Sequence, residues 1–137
     1  MYFRASLEEL ELSSGDPNNS IRLAEGGYLA SLGVYHELHC IKKIRWLINF
    51  DHYYPNGTQE DQETLREHAD HCLEALRTSS MCRADISLIT FRWEGEAAEH
   101  QSYSMRQCVD WDILDRWAGE RAMGFSPAIL EDEETDD

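Results

Sequence analysis

Positive charge is scarce in this chain: 12 Lys and Arg stand against 27 Asp and Glu, giving a formal charge of −15. Six of the negative charges fall in the last seven residues, 131–137. Such a run buries no apolar surface, so residues 125–137 are expected to form a disordered acidic tail. Without the run the charge is still −9. That balance argues against nucleic acid or an anionic membrane surface as partner, since both attract cationic faces. Long apolar runs are missing too. Nothing approaches the roughly 18 residues of a membrane-spanning helix, and the first ten residues lack a signal peptide's apolar stretch. As given, the chain is expected to be soluble. Cysteine is sparse, with four in 137 residues. An even number leaves the redox compartment open: two disulfides would staple so small a core, and four reduced thiols would suit a cytosolic one. The length allows one domain with one modest core.

What is present is a repeated phrase. His36-Glu-Leu-His39-Cys40-Ile-Lys-Lys-Ile44-Arg45 returns as His68-Ala-Asp-His71-Cys72-Leu-Glu-Ala-Leu76-Arg77, and the two copies hold four of the six histidines. Imidazole is the commonest metal ligand among side chains and is neutral and available near neutral pH. On a helix, residues i and i+3 lie about 60° apart on one side. With His36 at zero, His39 falls at roughly −60° and Cys40 at roughly +40°, with Ile44, Ile48 and Ile41 between roughly +80° and +140°. The second copy repeats this wheel with Leu76, Ala69 and Leu73. The histidines border an apolar stripe and the cysteine sits at its edge. Packing the stripes together would bring four imidazoles toward one rim, as metal sites in helix bundles are built. The plainer alternative is a duplication whose histidines only hydrogen-bond.

Residues 1–19 are polar and acidic and end in Ser-Ser-Gly-Asp-Pro-Asn-Asn, which reads as a flexible arm closed by a loop. Residues 20–24 and 28–34, divided by Gly26-Gly27, suggest a short hairpin. A first motif helix is expected over 35–50, stopped by Pro55-Asn56-Gly57. Thr58 or Asp61 can cap a second helix reaching about Thr78. Residues 81–85 read as a loop, 86–93 as a strand and 94–107 as a loop. Trp111, Ile113, Leu114 and Trp117 recur at helical spacing and predict a third helix over 110–121, stopped by Gly124 and Pro127. The expected fold is mainly α: one small helical domain over 20–124, with two motif helices packed together, a C-terminal helix and a short β hairpin or strand pair.

These residues resemble the UstYa-like family of fungal secondary-metabolite proteins. The matching elements are Tyr35 through Arg45, His68 through Arg77, Ser80-Met81-Cys82-Arg-Ala-Asp85, Trp93, and Cys108-Val-Asp110-Trp111 with Trp117, and they span most of the chain between its ends. The resemblance implies an oxidative enzyme of a mycotoxin or cyclic-peptide pathway, acting by macrocyclisation, dehydrogenation, hydroxylation or halogenation. It also implies copper on His36, His39, His68 and His71. Two departures stand out. Family members usually begin with a membrane-spanning helix, implying a secretory-pathway lumen, and this chain shows none. They often place His two residues before the last cysteine, where this chain has Arg106.

The chemistry agrees with that expectation. Oxidising an unactivated C–H bond requires a redox metal, because no side chain stores an electron at accessible potential. An all-imidazole site suits copper, and zinc is the inert alternative. Asp70, Asp85 and His100 are candidates to orient a ligand from behind. Tyr35 is a candidate redox or hydrogen-bonding residue, and Trp93, Trp111 and Trp117 are expected in the core. Disulfides Cys40–Cys108 and Cys72–Cys82 are favoured, with Cys40–Cys72 across the helix pair as the main alternative. The substrate is expected to be a peptide or polyketide-type intermediate, with homo- or hetero-oligomers of related family members possible. Two further classes compete: a non-redox cyclase or dehydratase using histidine as acid and base, and a non-catalytic partner of a related oxidase.

Overall fold

A computed structural model describes residues 1–100 and 106–124. The expected tail over 125–137, Tyr103 and Pro127 lie outside the described residues. Among the described residues five helices and two antiparallel strand pairs follow the order β1 (Phe3–Ala5), α1 (Leu7–Leu12), β2 (Tyr28–Ala30), α2 (Gly33–Ile48), α3 (Phe50–Tyr53), α4 (Gln59–Arg83), β3 (Phe91–Glu94), β4 (Ala97–His100) and α5 (Trp111–Glu120). The mainly α class expected from the sequence is what forms. The chain divides into two compact units, residues 1–39 together with the segment from Trp111 onward, and residues 40–110.

In the first unit the polar leader, expected to be a flexible arm, is folded. Phe3 and Ala5 alternate inward on β1 and are buried, which a period-two strand requires of its core face. β1 pairs with β2 in the register Phe3↔Ala30 and Ala5↔Tyr28. Ser6 then caps α1, its hydroxyl accepting from Glu9 N–H while the Glu9 carboxylate accepts from Ser6 N–H. This reciprocal box satisfies backbone donors that a helix start leaves unpaired. The hairpin expected over 20–24 and 28–34 forms in a shorter version: Leu23 N–H donates to the Gly27 carbonyl, Leu29 N–H donates to the Ile21 carbonyl, and Arg22 bridges Tyr28.

One cation ties the ends of this unit together. Arg121 donates to both Glu9 carboxylate oxygens, at 2.6 and 2.7 Å, and to the Arg4 carbonyl at 2.8 Å. Its guanidinium also lies over the rings of Phe3 and Trp117, which themselves meet edge to face. The planar fork suits both tasks at once, pairing a carboxylate and stacking on π faces.

In the second unit the long helix α4 starts where the sequence indicates. Thr58 accepts from Asp61 N–H and Asp61 accepts from Thr58 N–H. The turn before it depends on Gly57: a Cβ there would meet the Phe50 ring at 2.6 Å. α4 runs through Met81, Cys82 and Arg83, which were expected in a loop, and ends at Ala84 in the left-handed region (φ 39°). The strand expected over 86–93 is shorter and later, and the stretch read as a loop supplies its partner β4. This hairpin has no opposing layer among the described residues. Trp93, expected in the core, is therefore 76% exposed, while Trp111 and Trp117 are partly covered.

The Arg121 clamp makes the first unit acid-sensitive. The Arg121 hydrogen bond first, and then that of Ser6, hold the Glu9 carboxyl down at about 2. A lowered folded value stabilises above the unfolded carboxyl range and the benefit is lost as pH falls. Glu9 is 40% exposed, so after solvent screening the contribution is about 1 kcal/mol. Urea denaturation from about pH 6 down to pH 2 should show that loss, and Glu9→Gln should flatten it. Arg121→Ala should cost about 1–2 kcal/mol, because the stacking is lost with the pair.

Candidate functional site

Each motif places its two histidines one helical turn apart on a regular helix. On α2 the His36 and His39 rings are stacked, with centroids 6.4 Å apart and 13° between planes. On α4 the His68 and His71 centroids are 6.5 Å apart. His36, His39 and His71 are solvent-exposed and His68 is half-buried. Two imidazoles sharing an ion at metal–nitrogen distances of about 2.0–2.1 Å have ring centres roughly 5–6 Å apart. Each pair thus fits a two-nitrogen arm after a small rotamer change. Among the described residues no group of three or more His, Cys, Asp or Glu is arranged to hold a metal ion.

The buried stripe is rotated from its expected position. Cys40 and Cys72 are completely buried, whereas Ile41, Ile48 and Leu73 are more than half exposed. The buried line on α4 runs through Leu65, Ala69 and Cys72. The cysteine therefore marks the centre of the stripe, which turns the histidines toward its rim. Within the second unit the Cys40 and Cys72 side chains meet in a hydrogen bond; burial first, and then this contact, push the Cys72 thiol up to about 12. Both sulfurs are fully buried while His36, His39 and His71 are exposed, so in the two motifs the solvent-facing donors are imidazoles.

The expected disulfides Cys40–Cys108 and Cys72–Cys82 are absent, and no cysteine is in a disulfide. Cys72 and Cys82 lie on one continuous helix, about 15 Å apart along its axis, where a disulfide tolerates at most about 7 Å between Cα atoms. Cys82 and Cys108 are exposed. Cys40 is instead turned into the interior beside Cys72.

The residues expected to orient ligands are distributed differently. The Asp85 carboxylate accepts from Ser87 N–H at 3.0 Å and its hydroxyl at 2.7 Å, and pairs with Arg106 at 3.2 Å. These bonds, the Ser87 hydroxyl foremost, lower its pKa, so Asp85 is committed away from the imidazoles. Arg106 is thus a partner of Asp85. Asp70 is exposed on α4, and His100 is exposed on β4 opposite Phe91. Arg77 holds Glu74 in an ion pair on the surface of α4. Ser80, Arg83, Asp85, Ser87, Arg106 and Cys108 line an open cleft of about 790 Å³. Ser80 lies nine residues beyond His71, about 13 Å further along α4.

Asp115 was not legible as a functional neighbour. The Tyr35 hydroxyl donates to it at 2.7 Å, and the Tyr35 ring meets Trp111 edge to face at 6.0 Å. Tyr35 immediately precedes His36, so this bond anchors the first turn of the motif helix to α5. The one sequence hint is that Asp115 interrupts the apolar spacing of α5.

The twin histidine pairs on a mainly α scaffold define a class of protein, and comparison identifies it. The chain belongs to the family of the mycotoxin biosynthesis protein UstYa, whose model matches residues 3–121. It is 34% identical over 96 residues to the UstYa family oxidase phomYc' of Diaporthe leptostromiformis, covering 66% of this chain and 38% of that one. It is 30% identical over 118 residues to phomYe of the same fungus, covering 82% and 40%. Against the UstYa family oxidase VicYb of Bipolaris victoriae it is 32% identical over 101 residues, covering 69% and 82%. The chain spans about two fifths of the length of the first of these relatives. No solved structure matches it significantly. Among the described residues no helix is long and apolar enough to cross a membrane.

Asp115 raises the Tyr35 phenol to about 12, chiefly through the hydrogen bond and then through burial. A raised folded value stabilises below the unfolded phenol range and is lost as pH climbs through the folded one. Tyr35 should therefore show phenolate absorbance only as pH approaches about 12. Tyr35→Phe should remove about 1 kcal/mol of stability at neutral pH and erase the loss between about pH 10 and 12, read by urea melts.

Proposed function

We propose that this protein is a copper-dependent oxidase of a fungal secondary-metabolite pathway, acting on C–H bonds of a peptide or polyketide-type intermediate. The observation that carries the reading is the repetition of an i, i+3 histidine pair with the same flanking cysteine on two helices. It is supported by membership of a family in which several relatives of this chain are named oxidases and one a hydroxylase. His36, His39, His68 and His71 are the proposed ligands. Copper fits four neutral nitrogens without an obligatory carboxylate, and the burial of Cys40 and Cys72 favours imidazole over thiolate. Bound copper would supply the one-electron chemistry that side chains lack.

The chain's own residues then have definite tasks. α2 and α4 fix the imidazoles on rigid helices, which hold a site more firmly than loops do. The bond between Tyr35 and Asp115 fixes the turn that carries His36. A related family member is the proposed partner, supplying further ligands to pairs that each offer two. The reaction type and the substrate belong to this proposal.

The test is metal analysis of purified protein after copper titration, with electron paramagnetic resonance. Wild type should bind copper with nitrogen hyperfine structure. His36→Ala and His68→Ala should each weaken binding by at least the roughly 10–100-fold that losing even an outer partner of a ligand brings. Equal copper binding by wild type and both variants would overturn the assignment. Turnover that persists without metal and oxygen would instead favour histidine acid–base chemistry.

A further inference from the structure

We infer that Cys40 and Cys72 are a matched pair that oxidises to a disulfide joining α2 to α4 within the second unit. Three observations carry this. Both side chains are completely buried. They face each other in direct hydrogen-bonding contact from separate helices. The residue one turn before Cys72 is Ala69, 2% exposed, whose small side chain takes little room on the buried face of α4. The other two cysteines are exposed, and neither shares these features.

The step balances with a small-molecule disulfide as oxidant. The Cys40 thiolate attacks one sulfur of glutathione disulfide, forming a mixed disulfide and releasing one glutathione. Cys72 Sγ then attacks the Cys40 sulfur and releases the second. Two S–H bonds are lost, one S–S bond is formed, and the two electrons reside in the two glutathione thiols. Exchange requires access for a thiolate, so burial sets the order of events. The bond is made while the helices are docking and is shielded once they have docked. It closes a loop of 33 residues counted from Cys40 to Cys72, restricting the unfolded chain. Because Cys40 follows His39 and Cys72 follows His71, it also pins the helix positions next to both proposed ligand pairs. That last role rests on the copper reading; the bond itself does not.

The experiment refolds the full chain in a glutathione redox buffer and maps non-reduced peptides by mass spectrometry. Wild type and the Cys82→Ser/Cys108→Ser variant should both yield a Cys40–Cys72 peptide about two mass units below the dithiol. The crosslink should resist dithiothreitol until denaturant is added. The crosslinked form should melt roughly 10 °C above the Cys40→Ala/Cys72→Ala variant. Recovery of four thiols, or of crosslinks through Cys82 or Cys108, would overturn the inference even if the alanine variant fails to fold. The mass readout involves no copper, so failure here and failure of copper binding are separate results.

Discussion

The second unit depends on how closely two helices can approach where Cys40 and Cys72 meet. Both side chains are small and wholly excluded from water, with Ala69 beside them. A buried contact between two such small groups limits the rotational settings of a helix pair, because interiors pack like crystals and not like oil. Turning either helix enough to bury its exposed isoleucine or leucine would pull the thiols apart. On α4 the same setting leaves His71 exposed and His68 half-buried, where imidazole keeps access to solvent. Interior packing thus sets the orientation of the polar face.

The first unit is organised by a different constraint. Its core is thin, with Phe3, Ala5, Leu23 and Ala118 as its buried members among the described residues. A core of this size supplies little stabilisation by area alone. Arg121 compensates by joining a carboxylate, a backbone carbonyl and two aromatic faces around one guanidinium. Segments more than a hundred residues apart in the chain are thereby held to one another. The Tyr35–Asp115 bond repeats the device with a neutral donor, between the first motif helix and α5.

The parts legible in the sequence were those written in local code. Helical periodicity located α2, α4 and α5, and the Thr58 and Asp61 pair gave the start of α4. The matched histidine spacing placed each pair on a single helical side. What escaped depends on distant partners. Phe3 and Ala5 alternate over only three residues, too few for a strand until β2 pairs with them. The helix was expected to end near Thr78, yet α4 runs on to Arg83 with its last turn exposed. The setting of the cysteines at the stripe's centre, and the exposure of Trp93, follow from how layers meet or fail to meet, which no single segment encodes.

The left-handed alanine that closes α4 stores energy at a joint. A residue with a Cβ in that conformation costs roughly 1–2 kcal/mol, and here it sits where a rod about 37 Å long gives way to extended chain. Strain at one tip is relieved by fraying, so the final turn should open and close more often than the middle. The rod is consequently graded in stiffness: firm where the paired imidazoles stand, compliant where the chain bends away.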